Sequence, residues 1–374
     1  MEMKNFDRLK PYNNLPLLPP DQDIENNPAI LRRLVLASRA LATVNGNLSR
    51  LPNPLMLINT LALQEAKTST EIENIFTTED ELYKAISDTY KETNINPATK
   101  EVLKYREALW AGYKELHENR TIDTNLIKRI FNQIKETKSG YRPPQAQVAI
   151  KRGESEFRSG EIVYTPPRGE GLIEILMDNL VEYLNDDEKY SIDPLLKMCI
   201  AHYQFEAIHP FQDGNGRTGR ILNLLYLFSK GLLSQPVLYM SKFIILNKED
   251  YYFKLSAVTQ RNSWESWIEF MLEATEKTSV LTNNRINEIL SQMESTLEYA
   301  KGRIKWYNKE VNEAIFSQPY IKPGLIGKIT GKTSRTTLTK YMNELVNYNI
   351  LTPRKDGVEV FYMNEDLIRI LEGQ

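Results

Sequence analysis

The chain has one cysteine, three histidines and no long apolar run. A single thiol, Cys199, gives no intramolecular disulfide. Its setting in "LLKMCIAHY" predicts a small buried hydrophobe, since a reactive thiolate needs basic neighbours. His117, His202 and His209 form no His/Cys/Asp grouping with transition-metal spacing. No window approaches the roughly 20 apolar residues of a membrane span. The start, "MEMKNFDRLKPYNNLPLLPP", has no apolar core between a basic region and a small-residue cleavage site, so it does not read as a secretory signal. A cytoplasmic location, with no membrane partner, is the expectation. An excess of one charge is lacking too. Forty-seven basic and 49 acidic residues give a net charge of -2, which excludes a whole-chain field drawing the protein to nucleic acid or anionic lipid. A local basic patch stays open.

What is present is ordinary globular usage, 41% apolar and 26% charged, in 374 residues, enough for two or three domains. The first twenty-odd residues are rich in proline and asparagine and read as an extended arm, packed or mobile. Helical spacing follows in "AILRRLVLASRALATVNG", "PLMLINTLALQEAKTSTEIENI", Glu79 to His117 and "TIDTNLIKRIFNQIKE". Short runs "QVAI" and "EIVYT" around a polar, glycine-containing stretch predict a β-hairpin, stopped by "TPPRGE". Helices resume at "LIEILMDNLVEYLN" and continue past Thr275. From about Asn283 a long helix leads to helix, short helix, the turn "TGKTS", a third helix from Ser334, and two strands around "RKDG", the order of a winged helix-turn-helix. The organisation expected is 1–110 helical, 111–280 a core, and 285–374 a helical linker with the winged helix.

The chemistry concentrates in "HPFQDGNGRTGR", His209 to Arg220, which runs directly into the apolar "ILNLLYLF". Gly214, Gly216 and Gly219 would let backbone approach a ligand, and amides at a helix start favour phosphate. Arg217 and Arg220, three apart, share one face of the first turn, where guanidinium forks match phosphate oxygens. Asp213 at the mouth would repel phosphate unless a Mg²⁺ bridged the two. His209 precedes the turn, with the near-neutral pKa suited to deprotonating a hydroxyl. The stretch lacks the lysine and Ser/Thr of a Walker loop, and no strand precedes it as in a dinucleotide fingerprint.

With every fixed position present, this stretch resembles the signature of the Fic family, His-Pro-Phe-x-Asp/Glu-Gly-Asn-Gly-Arg-x-x-Arg. The resemblance, which covers roughly residues 60 to 275, implies a mainly α fold. It would be a Fic-type helical bundle with a β-hairpin flap, here followed by the small α+β winged helix-turn-helix domain. It implies a protein adenylyltransferase that moves AMP from ATP to a Ser, Thr or Tyr hydroxyl of a target protein or of itself. His209 would be the base, and Asp213 would hold Mg²⁺. Gly214, Asn215 and Gly216 would cradle the α- and β-phosphates, Arg217 and Arg220 would hold the outer ones, and Thr218 and Gly219 would complete the nucleotide-binding turn. Phe211 would pack into the core and fix the loop.

The hairpin resembles the family's flap, which aligns a target segment by strand addition; a hairpin that only covers the core is the alternative reading. "STEIEN", Ser69 to Asn74, resembles the family's inhibitory helix pattern, in which Glu73 would reach Arg220 and take the place of the γ-phosphate. Tyr251, in "KEDYYFKL", maps to a region that contributes to the adenine pocket. The winged helix admits DNA contact, through Arg335 and Lys340 on its third helix and Arg354 and Lys355 on its wing, or protein docking and a homodimer. Family members with such tails occur in bacteria. Competing readings are removal of AMP, transfer of another nucleotide or phosphocholine, and a DNA-binding regulator whose Fic-like part senses a ligand.

Overall fold

The computed structural model describes residues 6–48, 54–87, 95–152, 160–357 and 359–373. The tip of the expected hairpin, 153–159, lies outside them. Among the described residues there are fifteen helices and five short strands, and no helix is long and apolar enough to cross a membrane.

The chain divides into two compact units. One comprises Met1–Ala42, Lys104–Pro236 and Met240–Ser279, the other Thr43–Leu103, Val237–Tyr239 and Val280–Gln374. This regroups the division expected from sequence. Residues 6–42 group with the segment that carries the glycine-rich turn, and the described residues of 43–103 group with the carboxy-terminal tail.

The first unit is built from parts of α1 (Pro28–Leu48) and α4 (Pro97–Asn119), with α5 (Thr124–Lys135), α6 (Leu172–Asn185), α7 (Pro194–Ile208), α8 (Asn215–Ser229), α9 (Met240–Leu246), α10 (Lys248–Arg261) and the start of α11 (Trp264–Lys301). Helix α7 lies at its centre, with every residue from Leu195 to Ile208 buried. A helix surrounded on all sides has no solvent face, so its sequence shows no amphipathic period. Its start is set by Pro194 at the first turn and by Asp193, whose carboxylate accepts from Leu195 N. The buried Lys197 is compensated by Asp187 at 2.7 Å. Helix α8 packs on α7 and α5. Cys199 is a buried free thiol whose pKa is raised by burial, as its apolar setting predicts.

The hairpin is present, with β1 (Ile150–Arg152) antiparallel to β2 (Glu161–Tyr164) and Lys151 opposite Ile162. Its first strand begins at Ile150, the last residue of "QVAI", and takes in two residues expected in the loop. The amino-terminal arm packs along it. Tyr12 N donates to Thr165 O at 3.0 Å, and Thr165 Oγ1 donates to Arg8 O at 2.7 Å. The arm is then tied to the helices, where Asn179 bonds both the N–H and the C=O of Leu18, and Gln204 donates to Pro16 O.

In the second unit, α2 (Pro54–Ile72) precedes α3 (Glu79–Ile86), whose start is fixed by a capping box between Thr78 and Glu81. The tail runs α12 (Lys309–Ile315), β3 (Tyr320–Ile321), α13 (Pro323–Thr330), α14 (Arg335–Asn347), β4 (Thr352–Asp356), β5 (Glu359–Met363) and α15 (Glu365–Glu372). The three strands form an antiparallel sheet in the order β3-β5-β4. Strand β3 and helix α15 have no counterpart in the sequence reading, the strand being only two residues long.

Candidate active site

Helix α7 ends at Ile208 and is capped by His209, which adopts the left-handed conformation, φ 51°, and returns its N–H to Phe205 O. A non-glycine residue in that region carries strain that its surroundings must hold. Arg142 holds it: Nε donates to His209 O at 2.8 Å, one terminal nitrogen bonds Ile208 O at 3.2 Å and Pro167 O, and the Arg142 N–H bonds Pro210 O at 2.9 Å. Arg142 is buried, and burial lowers its pKa. Sequence reasoning gave Arg142 no role, because only the fold shows which carbonyls its fork meets.

The loop from His209 to Gly214 is closed from within. Asn215 Oδ1 accepts from Phe211 N and its Nδ2 donates to Phe211 O, both at 2.9 Å. The Phe211 ring stacks on Phe131 of α5 at 3.9 Å between centroids and is fully buried, as the resemblance implied. Gly214 then caps α8 with φ 78°, a conformation that favours glycine. The first-turn amides of α8 face the loop with the positive end of the helix dipole.

The turn's residues divide by role. The Asn215 side chain closes the loop, which leaves its backbone N–H at the first turn of α8. The Thr218 hydroxyl is buried and bonded to Gly214 O at 2.9 Å, so it is a helix-start group and not a phosphate donor. Gly219 makes room for α7: a Cβ there would lie 2.5 Å from Glu206 Oε1 and 3.0 Å from Phe205. Its glycine serves close helix packing, which corrects the expectation that all three glycines open the backbone to a ligand. Gly216 is part-exposed on the first turn. Arg217 and Arg220 are only 2% and 3% exposed, and both are engaged within the fold.

Asp213 is exposed beside this turn and pairs with Lys135 at 2.6 Å. Burial works to raise its carboxyl pKa, but Lys135, the Gly214 N–H and Arg217 outweigh it and hold the group below the usual carboxylate value. No cluster of three or more His, Cys, Asp or Glu able to hold a metal occurs among the described residues. A Mg²⁺ here would take one carboxylate from Asp213 and its other ligands from phosphates and water. That donor set suits this hard cation.

Tyr251 lies elsewhere than the sequence reading put it. It is 2% exposed, its hydroxyl is 2.9 Å from His202 Nε2, and it packs against Trp267 and Phe270. It is a core residue that holds His202, not a wall of an adenine pocket; the helix spacing of "KEDYYFKL" could not separate the two. Tyr252, 38% exposed, is the surface member of the pair. Burial, and after it the charge of Arg220, lowers the His202 pKa to about 3, so this imidazole is neutral.

Glu73 belongs to the second unit and Arg220 to the first. Helix α2 ends at Ile72, so Glu73 stands in the exposed turn after it; Glu73 N bonds Thr70 O, and Asn74 takes φ 61°, a common helix-ending conformation.

Three family models match the chain: Fic/DOC family N-terminal over residues 31–114, Fic/DOC family over 99–227, and Protein adenylyltransferase SoFic-like, C-terminal domain, over 292–367. The protein adenylyltransferases Fic of Drosophila mojavensis and Drosophila melanogaster are each 29% identical over 160 residues, 42% of this chain. That match spans about three-tenths of the length of those relatives, 30% and 31%. Among solved structures, a Fic family protein from Desulfovibrio desulfuricans has a TM-score of 0.57 at 21% identity, over 92% of this chain and 98% of its own. Fic-1 (residues 134–508) from C. elegans has a TM-score of 0.51 at 18% identity, over 69% of this chain and 71% of its own.

Proposed function

The chain belongs to the Fic/DOC family, and on that premise we propose that it is a protein adenylyltransferase. His209 takes the proton of a Ser, Thr or Tyr hydroxyl as that oxygen attacks the α-phosphorus of ATP. The bond from the α-phosphorus to the bridging oxygen of the β-phosphate breaks, and pyrophosphate leaves. The amides of Gly214, Asn215 and Gly216, with Arg217 and Arg220, position the phosphates and offset their charge. A Mg²⁺ at Asp213 would add neutralisation of the phosphate oxygens. The observation that carries this reading is the fixed left-handed backbone of His209, held by Arg142 and joined by an internally closed loop to the start of α8. A general base needs placement before it needs a tuned pKa.

We include in the proposal that Glu73 restrains the reaction by competing for the position of the γ-phosphate, a carboxylate being a phosphate mimic for guanidinium. The pattern Ser69 to Asn74 supports it. The test is incubation of the purified chain, alone and with a candidate target, with Mg²⁺ and ATP labelled on the α-phosphate. Glu73→Gly should raise labelling and add the mass of one adenylate, and Glu73→Gly with His209→Ala should abolish both. Equal labelling in wild type and Glu73→Gly removes the inhibition. No labelling by any variant removes the adenylyl transfer, and parallel incubations with GTP, UTP and CDP-choline then report another group transfer.

A further inference from the structure

From Ala314 to Asn343 the chain carries Lys322, Lys328, Lys332, Arg335 and Lys340 and no Asp or Glu, in a protein whose net charge is -2. Lys322 is internal, with its ammonium on Glu359. The other four sit on α13, on the turn after it and on α14. The two helices approach closely because Gly327 has no side chain: a Cβ there would lie 2.7 Å from Lys332 O and 3.2 Å from Leu338.

The faces of α14 are assigned by their contacts. Met342 and Leu345 are fully buried. A second face is covered by Trp306, whose ring stacks on Tyr341 at 3.9 Å and whose Nε1 donates to Glu344. What remains is Arg335, Thr336, Thr339, Lys340, Asn343 and Asn347, all exposed and on one side at helical spacing. With Glu344 at their margin they form one open face of the helix. Among the described residues the side chains of Lys332, Arg335, Lys340, Asn343 and Asn347 make no hydrogen bond or ion pair.

We propose that this face of α14 is an interface for duplex DNA, with the helix seated in the major groove. The charge is complementary, with Arg335 and Lys340 placed for backbone phosphates, and the other side chains are those that read base edges: Asn for adenine, and threonine methyls for the thymine methyl. A helix of 13 residues presents about 20 Å of this face, enough to cross a groove about 12 Å wide. A protein partner fits less well, because the centre of such an interface wants aromatic or aliphatic anchors and this face has none. The wing contributes little. Arg354 and Asp356 of β4 are engaged with Asp80 and Lys84 of α3, which corrects the expectation that Arg354 serves DNA and leaves Lys355 for a phosphate.

The test uses the full-length protein and a fluorescent mixed-sequence duplex of roughly 24 bp, titrated by anisotropy between about 50 and 200 mM salt. Binding should weaken steeply with salt. Arg335→Ala with Lys340→Ala, both exposed and so harmless to folding, should lower the log–log salt slope by about 1.8, two phosphate contacts' worth. On a duplex selected from a randomised pool, Asn343→Ala should reduce the preference over mixed sequence while leaving mixed-sequence affinity unchanged. No binding at the lowest salt, or binding by the double variant equal to wild type, overturns the proposal. A selected pool that stays random overturns the base-reading part of it.

Discussion

Asp80 on α3 receives a two-pronged ion pair from Arg354 on β4, with Nη1 to Oδ1 at 2.8 Å and Nη2 to Oδ2 at 3.2 Å. Tyr320 Oη donates to the same carboxylate at 2.6 Å, and Lys84 joins it at 2.9 Å while also reaching Asp356. Within the second unit the sheet of the tail is thus fastened to the helix that follows the Thr70–Asn74 segment.

Burial pushes the Asp80 carboxyl up, but Tyr320, Lys84 and Arg354 outweigh it, and its pKa falls below the ordinary 3.8. A depressed folded-state pKa contributes stability above the unfolded value, and that contribution is lost as pH falls through the folded value. Asp80 and Arg354 are 31% and 42% exposed, so solvent screens the pair and the coupling expected is about 0.5–1 kcal/mol. A double-mutant cycle of Asp80→Asn and Arg354→Gln, followed by denaturant unfolding at neutral pH, should return that coupling. The coupling should disappear in acid well below the ordinary carboxylate pKa.

Arg142 makes a sharper prediction. Arg142→Ala would leave the carbonyls of Pro167, Ile208 and His209 without their buried donor. The cost is about 2–3 kcal/mol of stability, the penalty of stranded polar groups. Arg142→Lys keeps a cation but not the fork. It should stay folded by circular dichroism, and transfer activity should fall at least about tenfold through kcat rather than the KM for ATP, since about 1.4 kcal/mol of misplaced base is enough. An equal rise in KM would place Arg142 in nucleotide binding instead.

How far the sequence could be read differs from element to element. Glycines at Gly331 and Gly357 punctuate the tail, and their positive φ values are what turns there require, so the order of helices and hairpin was visible. The turn before α8 was visible because so many special residues crowd into one stretch. Helix α7 was legible as a helix but not as the centre, since fourteen consecutive buried residues leave no period from which to infer a face. Arg142, the pairing of the arm with the hairpin and the burial of Tyr251 depend on chain segments far apart in sequence, and local pattern carries no record of them.

Two glycines of the turn should respond differently to alanine. Gly219→Ala places a methyl against Glu206 and Phe205 in the contact between α7 and α8, and overpacking of this kind costs about 1–3 kcal/mol. Gly214→Ala meets the flexible Lys135 stem at 3.3 Å and Phe131 at an ordinary 3.9 Å, but forces a side chain into φ 78°, at a cost of about 1–2 kcal/mol. Thermal unfolding of both variants, with ATP affinity measured separately, distinguishes packing from cradle. Gly219→Ala should lose stability with nucleotide affinity kept in the folded fraction, and Gly214→Ala should lose affinity as well.

The last prediction concerns the pair His202 and Tyr251. Tyr251→Phe removes the hydroxyl from His202 Nε2 in a fully buried setting, so it should cost about 1–3 kcal/mol of stability. Because Tyr251 is core, the KM for ATP should stay within about twofold, a change of less than half a kcal/mol. The imidazole also fixes a pH signature. With a folded pKa near 3 against an ordinary 6.5, the unfolded chain binds the proton first, so this histidine's contribution to stability is complete above the ordinary value and declines as pH falls from there toward 3. That window opens at milder acidity than the one set by Asp80. Unfolding measured from pH 7.5 downward should therefore weaken first through His202, and His202→Gln should flatten that portion of the profile while leaving the more acidic loss in place. A wild-type profile flat down to the carboxylate range would mean that His202 gains its proton in the folded state, and the buried, neutral pairing with Tyr251 would have to be abandoned.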